Sequence, residues 1–334
     1  MLIWLQFALC LAAIALAGYH LCRYADIIAE KTGLTGSWVG IVLLATVTSL
    51  PELVTGITSV TVAQVPDIAV GNVLGACVLN LFFIVFLDFL LRGESLYSRV
   101  AQGHILAAAL GVLMLGFTGF SLLLGGLTED WRIGHVGLST PVVVMLYALA
   151  IRMIHRYEQA QFAQLVHERV EQYQKITLRH AVTGYGLAAA VVVAAALWLP
   201  FVARTMAEQM GWSQSFVGTL LVAVATTAPE AAVTLSALRM GALDMAIANL
   251  VGSNLFNILI LAIDDLFYVQ GSLWSAVSTV HALSALTAVM MSGVAIVGLF
   301  LRARTRLLNT IGWASLALLT LYLLNAYLLY LQDD

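Results

Sequence analysis

Two glutamates, Glu52 and Glu230, stand inside long apolar runs that hold no other charged residue. In a membrane helix such a charge costs at least ~2.5–3.5 kcal/mol, so intramembrane acids usually serve a function. Pro51 and Pro229 precede them, and a proline interrupts a helix and frees the carbonyl four residues back. Carboxylates beside free carbonyl oxygens predict a cation site. The alternative is a protonated glutamate that only packs helices.

The residues around each glutamate supply further oxygen atoms. Thr48 and Ser49 precede Glu52 by four and three residues and share its helix face, and Thr226 and Thr227 stand in the same way before Glu230. On the next apolar run, polar positions recur every four residues, as Asn72, Ala76 and Asn80 and again as Asn249, Ser253 and Asn257. Such a set suits hard ions, calcium first among divalents, and sodium also fits.

Both groups belong to an internal repeat in which residues 33–88 match residues 211–265. The matches include Pro51/Pro229 and Glu52/Glu230, and after one residue of slip Asn72/Asn249, Gly75/Gly252, Asn80/Asn257 and Asp88/Asp265. The copies begin five predicted spans apart, so they cross the membrane in opposite directions. An inverted repeat with helix breakers at equivalent positions is the sequence signature of a transporter binding site. Gly75 and Gly252 are expected to let helices approach closely.

The composition requires a membrane protein. Of 334 residues, 61% are hydrophobic and 10% are charged, and mean hydropathy is +0.96. The net charge is −3, so the chain lacks the excess of basic residues that is typical of nucleic-acid-binding proteins. The runs lack the alternation of β-barrel strands, so the chain is predicted to be an all-α polytopic membrane protein. About ten spans are predicted, at residues 2–19, 38–62, 68–91, 105–124, 141–154, 181–202, 216–238, 245–268, 280–301 and 307–330.

The predicted organisation is a five-helix half at 1–154, a linker at 155–180 and a second five-helix half at 181–334. The fifth span is short and is expected to continue helically into the linker, a cytoplasmic amphipathic helix. Only Arg132 and Arg204 of the fifteen lysines and arginines fall in loops on the opposite side from the linker. This bias places the chain in the cell (inner) membrane as a multi-pass protein, with both termini outside the cytoplasm.

Four segments carry a resemblance to a known family. They are Val47-Thr-Ser-Leu-Pro-Glu52, Gly71-Asn-Val-Leu-Gly-Ala-Cys77, Ala225-Thr-Thr-Ala-Pro-Glu230 and Ala248-Asn-Leu-Val-Gly-Ser-Asn254. The chain resembles the calcium/cation antiporter superfamily, especially prokaryotic sodium/calcium exchangers. The resemblance implies two inverted five-helix repeats and a transporter rather than an enzyme. It implies no cofactor beyond the transported calcium and sodium ions.

The resemblance also implies the ligands. Glu52 and Glu230 are the expected central calcium ligands, and the first and sixth spans are expected to slide to give alternating access. The other expected contributors are the hydroxyl or carbonyl oxygens of Thr48, Ser49, Thr226 and Thr227, the carbonyls of Ala45 and Ala223 at flanking sodium sites, and the cavity-lining side chains of Ser253, Asn80 and Asn257.

Several positions depart from the family pattern. Val47 and Ala225 stand where the family has glycine, Ala76-Cys77 replaces Ser-Asn, and Asn257 replaces an aspartate of many relatives. Three functions are therefore considered: a calcium/sodium antiporter, a calcium antiporter coupled to protons or potassium, and a passive cation channel or scaffold. The expected partners are calcium and sodium ions and the lipid bilayer, without nucleic acid, and a monomer is the simplest assumption.

Overall fold

The structure, a computed structural model, describes residues 2–91, 94–125, 131–164, 173, 176–210, 224–302, 306–307 and 310–331. The described chain is almost entirely helical, and its strands form two short antiparallel hairpins. In chain order the first helices are α1 (Leu2–Thr32), α2 (Gly36–Val39), α3 (Ala45–Thr48), α4 (Leu50–Thr58) and α5 (Pro66–Leu90). Two π-helical segments, Gly40–Leu44 and Ser59–Ala63, adjoin α3 and α4.

The remaining elements continue the same pattern of long helices. They are α6 (Leu96–Arg99), α7 (Gly103–Gly125), β1 (Arg132–Ile133), β2 (Val136–Gly137), α8 (Ser139–Gln164), α9 (Leu178–Met210), α10 (Ala228–Arg239), α11 (Leu243–Phe267), α12 (Leu273–Ala276), α13 (His281–Phe300), β3 (Arg306–Leu307), β4 (Ile311–Gly312) and α14 (Trp313–Tyr330). In each hairpin the two strands pair antiparallel, β1 with β2 and β3 with β4.

Eight helices of the described chain are long and apolar enough to cross a membrane, which confirms the all-α polytopic prediction. The expected span at 141–154 is helical and continues to Gln164 within α8, as expected for a short span that runs into the linker. The expected span at 216–238 lies partly outside the described residues, as does most of the linker helix expected at 155–180. The count of ten spans therefore stays a prediction.

The first of two compact units comprises Met1–Pro51 and Met153–Ser253. In it, α1 packs along α9 and against α10. Ile14 of α1, Ala196 of α9 and Ala225, three residues before α10, form one buried apolar cluster. Small residues allow close contact, because a side chain at Gly184 would overlap the ring of Tyr24. Both sequence halves contribute segments to this unit, and the division into halves and linker remains a prediction.

The second unit comprises Glu52–Arg152 and Asn254–Asp334. Here α13 packs against α5, α7 and α14. Gly298 of α13 has no side chain, which leaves room for the ring of the buried Tyr97 on α6. The Tyr97 hydroxyl shares a 3.1 Å hydrogen bond with the hydroxyl of Ser315 on α14. These contacts fix the short α6 against the long helices.

Asp88 and Asp265, equivalent in the repeat, both tie loop backbone to a helix end within this second unit. Asp88 accepts hydrogen bonds from the backbone N–H groups of Leu96 (3.1 Å) and Gly312 (2.9 Å). Asp265 accepts from the N–H groups of Leu273 (2.6 Å) and Gly137 (2.8 Å). A nearby hydroxyl also donates to each carboxylate, from Ser315 to Asp88 and from Thr140 to Asp265. These acids are structural anchors, as their position at the span ends indicates.

Candidate cation-binding site

Both repeat motifs interrupt a helix at equivalent residues, as the prolines predict. Ser49 separates α3 from α4 with φ −89° and ψ 7°, and Thr227 precedes α10 with φ −83° and ψ 1°. Pro51 and Pro229 then lie in the first turn of a helix, where their missing N–H removes no helical hydrogen bond.

The same break gives each glutamate a helix N-terminus. Glu52 lies in the first turn of α4 and Glu230 in the first turn of α10. The unpaired N–H groups there carry a partial positive charge that stabilises a nearby anion by ~0.3–1 kcal/mol, or more when partly buried. Both side chains are 0% exposed. The fold thus offsets part of the cost of burying each carboxylate.

In the first unit, hydroxyl groups surround the Glu230 carboxylate. The Ser49 hydroxyl donates a 3.0 Å hydrogen bond to Oε1 of Glu230. The hydroxyls of Thr48 and Ser253 also interact with this carboxylate, and they lie 3.4 Å from each other. Oε2 of Glu230 accepts no hydrogen bond from the described part of the chain. Thr48, Ser49, Glu230 and Ser253, predicted as ligands, therefore come together and leave one carboxylate oxygen for an ion.

Asn249 was not among the expected ligands, although it shares a predicted helix face with Ser253. Its side-chain N–H donates to the hydroxyl of Thr234 at 3.2 Å, and its oxygen lies 3.5 Å from the Thr48 hydroxyl. All three side chains are buried. Asn249 therefore holds the Thr48 side chain in place. This role accounts for an asparagine at this position of the repeat without direct contact to the ion.

The backbone ligands expected for sodium remain a prediction. The Ala45 carbonyl accepts hydrogen bonds from the Ser49 N–H (3.1 Å) and the Thr48 hydroxyl (3.3 Å), so an ion there would have to displace a donor. Ala223 lies outside the described residues. Thr226 and Thr227 are described and buried just before α10.

In the second unit, Asn80 of α5 pairs with Asn254 of α11. The Asn80 side-chain N–H donates to the Asn254 amide oxygen at 3.1 Å, and the Asn254 N–H donates to the Cys77 carbonyl at 3.2 Å. The amide oxygen of Asn80 accepts no bond from the described residues, so it stays available to an ion. Asn254 is a positioning residue that was not predicted as a ligand. Its place beside Ser253 in the repeat motif was the available signal.

In the first repeat, Ala76 and Cys77 stand where the family has Ser-Asn, and Cys77 is buried and interacts with Glu52. The Cys77 thiol lies 4.0 Å from the Asn254 carbonyl and interacts with Asn257 and Glu52. Apart from this thiol contact, neither amide atom of Asn257 has a hydrogen-bond partner in the described chain. The second unit therefore assembles Glu52, Asn80 and Asn257 around a thiol and the buried Ala76 methyl group, with fewer oxygens than the hydroxyl-rich cluster of the first unit.

The glycines of the repeat do not behave alike. A side chain at Gly252 would lie 2.6 Å from the Cα atom and 2.7 Å from the carbonyl oxygen of Ile41, so α11 and the first π-helical segment pack backbone to backbone there. This confirms the expected close approach. At Gly75 the expectation stays a prediction: no described atom lies within 4 Å of the position that its side chain would take, and residue 219, the repeat equivalent of Ile41, lies outside the described residues.

Replacing Ser49 by alanine is expected to weaken calcium binding by about tenfold, since it removes one oxygen and the donor to a buried carboxylate. Ser49→Thr keeps the hydroxyl that Thr227 supplies in the other repeat, and it is expected to bind within ~3-fold of the parent protein. Calcium titration of purified protein measures both. Unchanged or tighter calcium binding by Ser49→Ala would show that the Ser49 hydroxyl stabilises the Glu230 carboxylate only when no ion is bound.

The chain has apolar helices long enough to span a membrane, and near matched helix breaks it buries acids, hydroxyls and amides. These features define a membrane transport protein for cations. The family model described as Sodium/calcium exchanger protein matches residues 2–154 and 180–331. The chain belongs to this family and is, at that level, a membrane cation antiporter.

Individual relatives agree with this assignment. The chain is 26% identical over 239 residues to the Inner membrane protein YrbG of Escherichia coli (strain K12), covering 71% of this chain and 70% of that protein. It is 42% identical over 83 residues to the Sodium/calcium exchanger MaX1 of Methanosarcina acetivorans, covering 25% of this chain and 24% of that protein. A solved structure of the sodium-calcium exchanger NCX_Mj has a TM-score of 0.73 at 20% identity, covers 98% of each chain and shares the fold.

Proposed function

We propose that the chain exchanges calcium for sodium across the membrane by alternating access, with Glu52 and Glu230 as ligands of the transported ions. The observation that carries the proposal is the placement of both glutamates. Each is completely buried in the first turn of a helix that follows a matched break. A packing role needs neither the matched positions nor the helix N-termini.

The donor chemistry supports the choice of ions. The side chains gathered around Glu230 and those gathered around Glu52 offer carboxylate, hydroxyl and amide oxygens. Calcium takes six to eight such ligands in flexible geometry, and sodium is also a hard ion. Two carboxylates balance the charge of one calcium ion or can be loaded with monovalent cations. Competition between calcium and monovalent cations for the same carboxylates is the minimum that an exchanger requires.

The helices proposed to move are α1 and α9, which correspond to the first and sixth predicted spans. They pack against each other within the first unit through small residues, including Gly184 beside Tyr24. Alanine and glycine contacts present shallow side-chain ridges, which suits sliding. We also propose that both termini face away from the cytoplasm, because of the lysine and arginine bias, and that the protein acts as a monomer.

A second candidate couples calcium to protons or potassium. It is favoured by the second unit, where a methyl group at Ala76, the thiol of Cys77 and the neutral amide of Asn257 provide a weaker sodium environment than hydroxyls and carboxylates. This candidate keeps both glutamates as ligands and differs only in the ion that replaces calcium.

Ion-swap transport in proteoliposomes tests the proposal. Purified protein is reconstituted, and radiolabelled calcium uptake is driven in turn by a sodium, a potassium or a pH gradient. We expect the sodium gradient to drive uptake and the other two to give the background of protein-free vesicles. Uptake driven only by potassium or protons would favour the second candidate. Internal calcium should also stimulate uptake of labelled calcium, and a passive channel or scaffold would lack this stimulation.

A further inference from the structure

Asp264, near the end of α11, is a buried acid that has no acidic counterpart in the first repeat. Its side chain is 0% exposed, and neither carboxylate oxygen has a hydrogen-bond partner in the described chain. A buried carboxylate without a partner is so costly that it takes up a proton or another cation instead. Its neighbour Asp265 is satisfied by the N–H groups of Leu273 and Gly137. Asp264 therefore has no role in that anchor.

The carboxylate lies against α4, close to Glu52. A side chain at Gly56 would overlap both carboxylate oxygens of Asp264, so the absence of that side chain is what makes room for the acid. Gly56 follows Glu52 by four residues on α4 and shares its face. With 1.5 Å of rise per residue, Asp264 packs about 6 Å further along α4 than Glu52. The other buried acids on these two helices are Glu52 on α4 and Asp265, which follows Asp264 on α11.

A second polar group shares this face of α11. Asn257 precedes Asp264 by seven residues, two helical turns, and apart from the Cys77 thiol neither of its amide atoms has a hydrogen-bond partner in the described chain. Two buried polar side chains on this face of α11, Asn257 and Asp264, therefore have free oxygen atoms within the described part of the second unit.

Comparison of the repeats argues that packing alone does not require this acid. One residue before Asp88, the equivalent of Asp264 is Leu87, which is also 0% exposed. The equivalent of Gly56 is Thr234, whose hydroxyl is engaged by Asn249. Leu87 of the first repeat and Thr234 of the second repeat thus stand where the opposite copies have Asp264 and Gly56, so neither position needs a carboxylate or a glycine to be packed.

We propose that Asp264 is an additional cation-binding carboxylate that takes up the monovalent coupling ion, sodium or a proton, beside Glu52. The proposal rests on the cation exchange put forward above and names the residue that couples the second ion. The other two carboxylates, Glu52 and Glu230, are sufficient for calcium itself. Calcium binding should therefore survive the loss of Asp264, whereas coupling should not.

Asp264→Asn in the full-length protein, reconstituted in proteoliposomes, tests this. Three rates are compared with the parent protein: calcium-for-calcium exchange without other gradients, uptake driven by a sodium gradient at fixed pH, and uptake driven by a pH step without sodium. We expect calcium-for-calcium exchange within ~2-fold of the parent rate and at least a tenfold loss of the gradient-driven rate. Loss in the sodium arm identifies sodium as the ion bound, and loss in the pH arm identifies the proton.

Gly56→Ala provides an independent variant, because its methyl group displaces the Asp264 carboxylate without changing any charge. It should reproduce the selective loss of gradient-driven uptake. Gly116→Ala on α7 is the matched control, since no described atom lies within 4 Å of the added methyl group, and it should behave as the parent. Gly56→Ala decides the question alone if Asp264→Asn cannot be purified folded.

The outcomes separate this inference from the proposed function. Gradient-driven uptake within ~2-fold of the parent rate in Asp264→Asn overturns the inference and leaves exchange intact. Equal loss of calcium-for-calcium exchange in a folded variant also overturns it, since the residue would then serve calcium directly. Failure of the parent protein to exchange calcium at all would instead refute the proposed function.

Discussion

Glu230→Gln and Glu52→Gln are each expected to reduce sodium-driven calcium uptake by at least about 100-fold, equivalent to ~3 kcal/mol. Glutamine keeps the shape of the side chain but removes the negative charge that a divalent ion needs. Both glutamates are 0% exposed, so bulk water cannot replace the lost ligand. In proteoliposomes, initial rates of radiolabelled calcium uptake under a fixed sodium gradient measure the effect.

Folding should survive these substitutions, because they remove a costly buried charge from a membrane helix. Thermal unfolding in detergent should show a midpoint equal to or above that of the parent protein. Glu94→Gln is the matched control: its side chain is 69% exposed, pairs only loosely with Arg99 at 3.6 Å and stands outside the spans, so uptake should be unchanged. Near-normal transport by either Glu52→Gln or Glu230→Gln would show that this glutamate is not a ligand of the transported ions.

The second large effect is expected at the repeat-equivalent glycines. Gly252→Ala should destabilise the protein by about 1–3 kcal/mol, because its methyl group would overlap backbone atoms of Ile41 that have no freedom to rotate away. Gly75→Ala adds the same methyl group where no described atom lies within 4 Å. There, the better helix propensity of alanine should stabilise the protein by up to about 1 kcal/mol.

Thermal unfolding midpoints in detergent test this pair, since each variant is the control for the other. Gly252→Ala should unfold at a lower temperature than the parent protein, and Gly75→Ala at the same or a higher temperature. Equal shifts for the two variants would contradict the inferred backbone contact between α11 and the first π-helical segment. Because the two positions match in sequence, a difference in stability would arise from packing alone.

The sequence predicted the helix breaks and the ligand types because both depend on local chemistry. Pro51 and Pro229 are followed by their glutamates in the first turn of a helix, and the interruption lies two residues upstream, at Ser49 and Thr227. The hydrogen bond from Ser49 to Glu230 joins residues 181 positions apart, and no local pattern specifies such a partner. Spacing placed each hydroxyl on a helix face but could not identify the group across from it.

Comparison of the two repeats cannot reveal a functional residue that is present in one copy alone. It finds polar residues that occur in both copies, so it singled out Asn249 and Asn257 but not Asp264, whose counterpart is Leu87. It treats paired glycines as equivalent, although among the described residues a neighbouring backbone lies against Gly252 and none against Gly75. Whether a site is completed by contacts from other helices depends on the tertiary fold, which internal similarity does not encode.

The π-helical segment at Ser59–Ala63 bears on the ancestry of the molecule. Fifteen positions separate Glu52 from Asp67, and fourteen separate Glu230 from Asp244. A π turn accommodates one residue more than an α turn. We interpret the segment as the trace of a one-codon length difference that arose after gene duplication. On this interpretation the copies diverged in length between the acid and the asparagines, while the residue types at both places remained matched.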